Sequence, residues 1–335
     1  MPGDRVTIAH GGGGTRMQEL LRETIFPLLG EEILLDAEDA ACLDLPPGRV
    51  ALTTDSFVVK PLFFPGGDIG KLSVCGTVND LAMVGAKPLY LTLGLILEEG
   101  LEFETLEKVL GSIAAWAQAA GVRVVAGDTK VVERGMADGM YVNTAGVGVI
   151  PAGRSITIAG AEPGDVLIVN GFVGDHGIAV LKSREGFNFE LDLESDCAPL
   201  SGLIEEMLGA GTVHALRDPT RGGLAAALKE MATASGLAFE LVEEDIPVRE
   251  GVRAICEMLG LEPLFVANEG KLLAAVPEAD AAGVIEAMRR DPLGRDARTV
   301  GRVVEGKKGR VRLRTPLGSE RMLRMPSGEQ LPRIC

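Results

Sequence analysis

The sequence is poor in the residues that build metal centres. Three histidines and five cysteines stand among 335 residues, and none falls at a CxxC or HxxxH spacing, which argues against a zinc site. Cys42, Cys75, Cys197, Cys256 and Cys335 are odd in number and scattered along the chain, so no disulfide framework is expected. No apolar run approaches the roughly 20 residues of a membrane span, and residues 1–10 have neither the basic start nor the apolar stretch of a secretion signal. A cytoplasmic location is expected. Positive charge is in deficit, with 33 Lys and Arg against 48 Asp and Glu, and a net charge of −15 repels a nucleic-acid backbone or an anionic membrane. An anionic ligand must then be held locally or through a cation. The common nucleotide loops are missing too: residues 66–71 end in Gly-Lys without the rest of a P-loop, and the 11–14 glycine run lacks the last glycine of GxGxxG.

What is present is a large apolar content, 46%, enough for two buried cores in a chain of this length. Glycine is abundant at 44 residues, which implies many tight turns and close backbone approaches. Helical periodicity over 17–29, 72–84 and 103–120 alternates with β-branched stretches at 49–59, 89–97, 122–126 and 140–150. A Gly/Pro-punctuated passage at 151–163 precedes a new strand at 165–170. Helices at 178–183, 199–208, 224–235 and 278–289 then alternate with strands at 238–242, 272–276 and 298–304. The chain is expected to be an α/β (α+β) protein. Its parts are a Gly-rich segment and helix at 1–40, a first domain at 41–154, a second at 155–317 and a mobile tail at 318–335. Residues 302–335 carry a surplus of six positive charges against an acidic body, so the tail is complementary to its own protein.

Acidic residues cluster in what read as element ends: Glu38-Asp39, Thr53-Thr54-Asp55-Ser56, Asn79-Asp80 and Gly127-Asp128-Thr129-Lys130. Carboxylates meeting at one rim repel unless hard cations neutralise them, and magnesium on a nucleotide triphosphate supplies those cations. Each segment taken alone also suits plain capping of helices and turns. In the second half, Asp218-Pro219-Thr220-Arg221-Gly222-Gly223 and Gly174-Asp175-His176-Gly177 each precede a helix, where free backbone amides favour phosphate. Asn268-Glu269-Gly270 adds another acid before a strand.

These segments together resemble the PurM-like superfamily of ATP-dependent enzymes related to aminoimidazole-ribonucleotide synthetase. The ending Leu331-Pro332-Arg333-Ile334-Cys335 makes the chain similar, within that superfamily, to the hydrogenase-maturation carbamoyl dehydratases. The resemblance implies a two-domain PurM-like fold that pairs as a homodimer through its first domain, with residues 50–59 as a candidate contact strand. It implies ATP and Mg2+ as cofactors. The expected activity is dehydration of a carbamoyl group on Cys335 to a thiocyanate, which supplies the cyanide ligand of [NiFe]-hydrogenase. Its implied partners are the carbamoyltransferase HypF and the HypC–HypD iron–cyanide assembly complex. Asp39, Asp55, Asp80 and Asp128 would hold magnesium; Asn79 and Thr129 would position ATP, with Asp218, Arg221 and His176 on the nucleotide's other side. Lys130 and Glu269 would polarise the carbamoyl group and take its proton, although a simple ion pair between those two is the plainer alternative. A kinase or synthetase of the same superfamily, or a non-enzymatic cysteine carrier, are the competing readings.

Overall fold

The computed structural model describes residues 5–36, 40–184, 191–325, 328 and 330–335. The helix expected at 17–29 is built from α1 (Thr15–Leu20), a π-helical turn at Leu21–Ile25 and α2 (Phe26–Leu29). The irregularity has a local cause: Pro27 has no N–H to give to the preceding turn, and its ring crowds the carbonyl four residues back.

The first domain then runs through β1 (Arg49–Phe57), a small hairpin of β2 (Phe63–Phe64) and β3 (Gly67–Asp68), α3 (Ile69–Met83), β4 (Lys87–Glu98), α4 (Phe103–Ala120), β5 (Arg123–Val132) and β6 (Met140–Ile150). Its four-stranded sheet has the order β1-β6-β4-β5, with only β4 and β5 parallel. Asp68 starts α3 by accepting N–H bonds from Gly70 and Lys71 at 2.7 and 3.1 Å, the arrangement of a good N-cap. α3 is buried on nearly every side, because it lies between this sheet and the second domain. α4 is amphipathic and buries Leu106, Val109, Leu110 and Ile113, each contributing about 1.5–3 kcal/mol by leaving water. The other face of the sheet is open: Val50 and Leu52 are 58% and 73% exposed, and Ile96 on β4 is 41% exposed.

β5 continues where the sequence predicts a turn. The 127–130 segment, expected to close the strand at 126, lies inside β5, with Asp128 opposite Gly94 of β4. A Cβ at Gly127 would stand 2.6 Å from the Leu93 carbonyl oxygen, so glycine marks a close strand approach there and not an end.

The second domain contains β7 (Val166–Val169), α5 (Asp175–Lys182), α6 (Ser201–Ala210), β8 (Ala215–Arg217), α7 (Gly223–Ser235), β9 (Ala238–Val242), α8 (Glu250–Leu259), β10 (Leu273–Val276), α9 (Glu278–Arg290), β11 (Arg298–Val304), β12 (Arg310–Arg314) and β13 (Glu320–Met322). They form a seven-stranded sheet in the order β13-β12-β9-β11-β7-β10-β8. β7 is buried on both faces: Val166 and Ile168 pack with α6 and α9, whereas Leu167 and Val169 pack with α7. That two-sided burial explains its continuous apolar run. β13 lies inside the segment assigned to the tail and pairs with β12.

Candidate active site

The two domains meet along α3. Asn79 in its last turns donates from Nδ2 to the carbonyls of Ala198 and Glu269 at 3.0 and 3.3 Å and accepts the Leu200 N–H on Oδ1 at 2.7 Å. Its amide is thus spent on clasping the second domain and on holding the backbone of Glu269. Glu269 is buried, and its N–H donates to Asp196 Oδ1 at 3.0 Å. The next residue has to be glycine, since a Cβ at Gly270 would fall 1.8 Å from the Asp196 carbonyl oxygen. The Glu269 Oε1 atom is buried and has no donor among the described residues. Burial above all, followed by the nearby Cys197, Asp218, Asp196 and Asp55, raises its carboxyl well above the usual range.

The same seam carries three of the expected acids. Thr53 Oγ1 donates to Asp80 Oδ2 at 2.8 Å. Burial and then Asp80 raise the Asp55 carboxyl, and Arg221 opposes the rise. Burial and then Asp80 push Asp218 up to about 6, with Arg217 opposing. Asp55, Asp80, Asp218, Arg221 and Glu269 therefore share one electrostatic neighbourhood, which stores repulsion that a cation would relieve.

Asp128, Thr129 and Lys130 lie elsewhere. They sit on β5, the opposite edge of the sheet from β1, about 14 Å away at roughly 4.8 Å per strand. Lys130 pairs with Asp128 at 2.9 Å on an exposed edge, so Lys130 and Glu269 do not meet within one chain. Thr129 is buried and lines, with Asp128, Leu93, Leu21, Ile25 and Phe26, a cleft of about 690 Å3 under the N-terminal helices. Asp39 and its neighbour Glu38 lie outside the described residues. Among the described residues no three metal-ligating side chains converge. Two carboxylates with substrate phosphates and water is nevertheless how magnesium is commonly held, and Asp55 with Asp80 fits that donor set.

The end of the chain is docked at this seam. Leu331 and Ile334 are buried in the core shared by the two domains. Val58 and Lys60, just past β1, donate N–H bonds to the carbonyls of Cys335 and Arg333, both at 3.3 Å. Arg333 Nε donates to the Val58 carbonyl at 3.1 Å, and its guanidinium pairs with Asp138. Arg184 donates to the carbonyls of Pro332 and Arg333 at 2.5 and 2.8 Å. Cys335 and Arg221 line a common cavity of about 300 Å3. His176, expected beside the nucleotide, is fully buried and faces the arm: Nδ1 lies 2.8 Å from Ser195 Oγ and Nε2 3.0 Å from the Ile334 carbonyl. Asp175 before it is spent on Arg249, at 2.9 Å. Sequence reasoning missed Ser195, Asp196 and Arg184. The 191–200 stretch has no periodicity to flag it, and its use becomes visible only once the domains are packed.

Comparison with known proteins accounts for both domains. Residues 37–150 match the N-terminal domain of AIR synthase related proteins and residues 162–314 their C-terminal domain. The chain is 52% identical over 331 residues to the carbamoyl dehydratase HypE of Azotobacter vinelandii, covering 98% of this chain and 97% of that one. Among solved structures it is similar to hydrogenase maturation protein HypE in complex with ATP. That match has 45% identity and a TM-score of 0.94, over 98% of this chain and 99% of that chain. It is also similar to a chain of a HypE–HypF complex, with 45% identity and a TM-score of 0.81, over 93% and 100% of the two chains.

Proposed function

Because the chain belongs to the AIR synthase related family and, within it, to the HypE carbamoyl dehydratases, we propose that it dehydrates a carbamoyl group carried on Cys335, using ATP, to give a thiocyanate for hydrogenase maturation. The observation that carries this reading is the docked arm, whose last residue shares a cavity with Arg221 beside the buried acids. Amide oxygen is a poor leaving group. Its attack on the γ-phosphorus of ATP expels ADP and, with loss of one nitrogen proton, leaves an imidate phosphate carried on sulfur; loss of the second nitrogen proton then forms the C≡N bond as the C–O bond breaks and phosphate is released. Glu269 is the proton acceptor in this scheme, being buried, without a donor on Oε1 and raised in pKa. Arg221 and the amides opening α7 offset phosphate charge. Asp55 and Asp80 would hold magnesium, which when bound neutralises the phosphates.

The expected result with fully carbamoylated chain and Mg-ATP is a loss of about 18 Da localised to Cys335, the mass of water, as phosphate carries off that oxygen. An unchanged intact mass, or ATP hydrolysis that ignores the carbamoyl group, would overturn the proposal and favour the kinase or carrier readings. Loading by HypF fits the same reading, since a HypE–HypF complex is known for a relative and Cys335 is only half-buried. Delivery to a HypC–HypD complex would follow once the arm leaves the seam.

The separation of Asp128, Thr129 and Lys130 from Asp55 is resolved by a homodimer closing over the open apolar face of β1 and its neighbours. The β5 edge of one copy then completes the site of the other. Chains carrying Asp55→Asn and Asp128→Asn, each inactive alone, are expected on mixing to regain about a quarter of full activity, because half of the dimers are mixed and half of their sites intact. Mixed dimers that form without any recovery would exclude a shared site.

A further inference from the structure

His176 is the one ring in the seam whose two nitrogens have fixed partners, and its proton can be assigned from those partners alone. Nε2 faces the carbonyl oxygen of Ile334 at 3.0 Å. A carbonyl only accepts, so Nε2 carries the proton. In the neutral ring Nδ1 is then an acceptor, and the Ser195 hydroxyl donates to it at 2.8 Å. The Ser195 oxygen keeps a lone pair free and accepts the Cys197 N–H at 3.1 Å. The directions of all three bonds are therefore set. Burial keeps the ring neutral by disfavouring its cation, and Phe64 packs against it edge to face at 5.5 Å between centroids.

The acceptor at Ile334 is the carbonyl bonded to the nitrogen of Cys335, so fixing it fixes where the last side chain begins. The arm is held there against a local backbone cost, since Arg333 adopts a left-handed φ of 55°, which for a residue with a Cβ persists only where neighbours over-determine it. Ser195 is itself pinned to the first domain through its N–H to the Pro65 carbonyl at 2.8 Å. Its neighbour Asp196 holds the N–H of Glu269. One short segment, 195–197, thus sets the arm on one side and the proposed base on the other.

We propose that His176, held in its Nε2–H tautomer by Ser195, is the positioning residue that locks the Ile334 carbonyl and so places Cys335 for dehydration. This rests on the dehydratase reading for its purpose, but the lock itself is measured without that chemistry. The readout is the rate of alkylation of Cys335 in the full chain by iodoacetamide, separated from exposed Cys42 by peptide mass. Losing one buried hydrogen bond, His176→Leu should raise that rate about tenfold. His176→Gln, whose side-chain amide can still donate to the carbonyl, should stay within about threefold of the unaltered protein, and Ser195→Ala should fall between. In the dehydration assay the same order should be read in the single-turnover rate, with ATP affinity unchanged. Alkylation rates that do not separate leucine from glutamine would overturn the lock. So would a weaker ATP affinity that accounts for the whole activity loss, which would return His176 to the nucleotide site. Failure of the dehydratase reading is distinguishable, because unaltered carbamoylated chain would then lose no water whatever the order of alkylation.

Discussion

Replacing Cys335 with alanine is expected to abolish thiocyanate formation outright, a fall of at least about a thousandfold, while leaving ATP affinity within about twofold. The size of the effect follows from chemistry: without the sulfur no carbamoyl group is attached, so no rate remains to be slowed, whereas removing one stabilising contact would only lower a rate by tenfold or so. The selectivity follows from place. Asp80 acts on both Asp55 and Asp218, the acids assigned to the nucleotide side, and Arg221 acts on Asp55, so the charges proposed to hold the nucleotide come from groups other than the thiol. The fold should be untouched, because the Val58 N–H bonds to the backbone oxygen of residue 335 and not to its sulfur. Truncating a half-buried thiol costs under about 1 kcal/mol of burial. Intact mass after loading and nucleotide titration measure the two halves of the prediction. Water loss that persists in the alanine variant would move the carbamoyl carrier to another group.

Cys335 ends a basic segment on an acidic body, a complementarity that composition shows without a fold, while its role as carrier is what the family resemblance implies. Asp55, Asp80, Asp218, Arg221 and Glu269 are legible as charged residues beside element ends, and their roles at a nucleotide site are what the resemblance implies. What the sequence does not disclose is strand order. Asp55 and Asp128 lie in similar local patterns, yet the order β1-β6-β4-β5 sets them on opposite edges, and nothing within ten residues of either encodes that. The 127–130 segment reads as an element end because Asp, Thr and Gly are turn formers, whereas tertiary pairing with β4 overrides that preference. His176 and Asn79 have roles fixed by distant partners, Ile334 for one and the 198–200 backbone for the other. Such long-range contacts are the part of a site that local patterning leaves unmarked.

Glu269→Gln is the second change expected to act strongly, lowering the single-turnover dehydration rate by about 10²–10⁴-fold, the usual worth of a general base. Glutamine keeps the shape of the side chain and the backbone bonds to Asp196 and Asn79, so ATP affinity should change little. The unaltered enzyme should show a rate that climbs with pH, since Glu269 accepts a proton only when ionised. The climb should lie above the ordinary carboxylate range because burial and then the neighbouring Cys197 and acids raise its pKa. The glutamine variant should lose that limb. Stability should move in the opposite sense. A carboxyl whose pKa is raised on folding leaves the folded chain binding more protons than the unfolded one, so stability declines as pH rises from the unfolded value through the folded one. The glutamine variant lacks this decline and should unfold at a higher temperature than the unaltered protein at pH 8, with the gap closing toward pH 4.5. A base so placed would be paid for in stability, as expected of a site that buries a carboxylate oxygen with no partner among the described residues. A variant that keeps both the rate and its acid limb would remove Glu269 from the proton transfer.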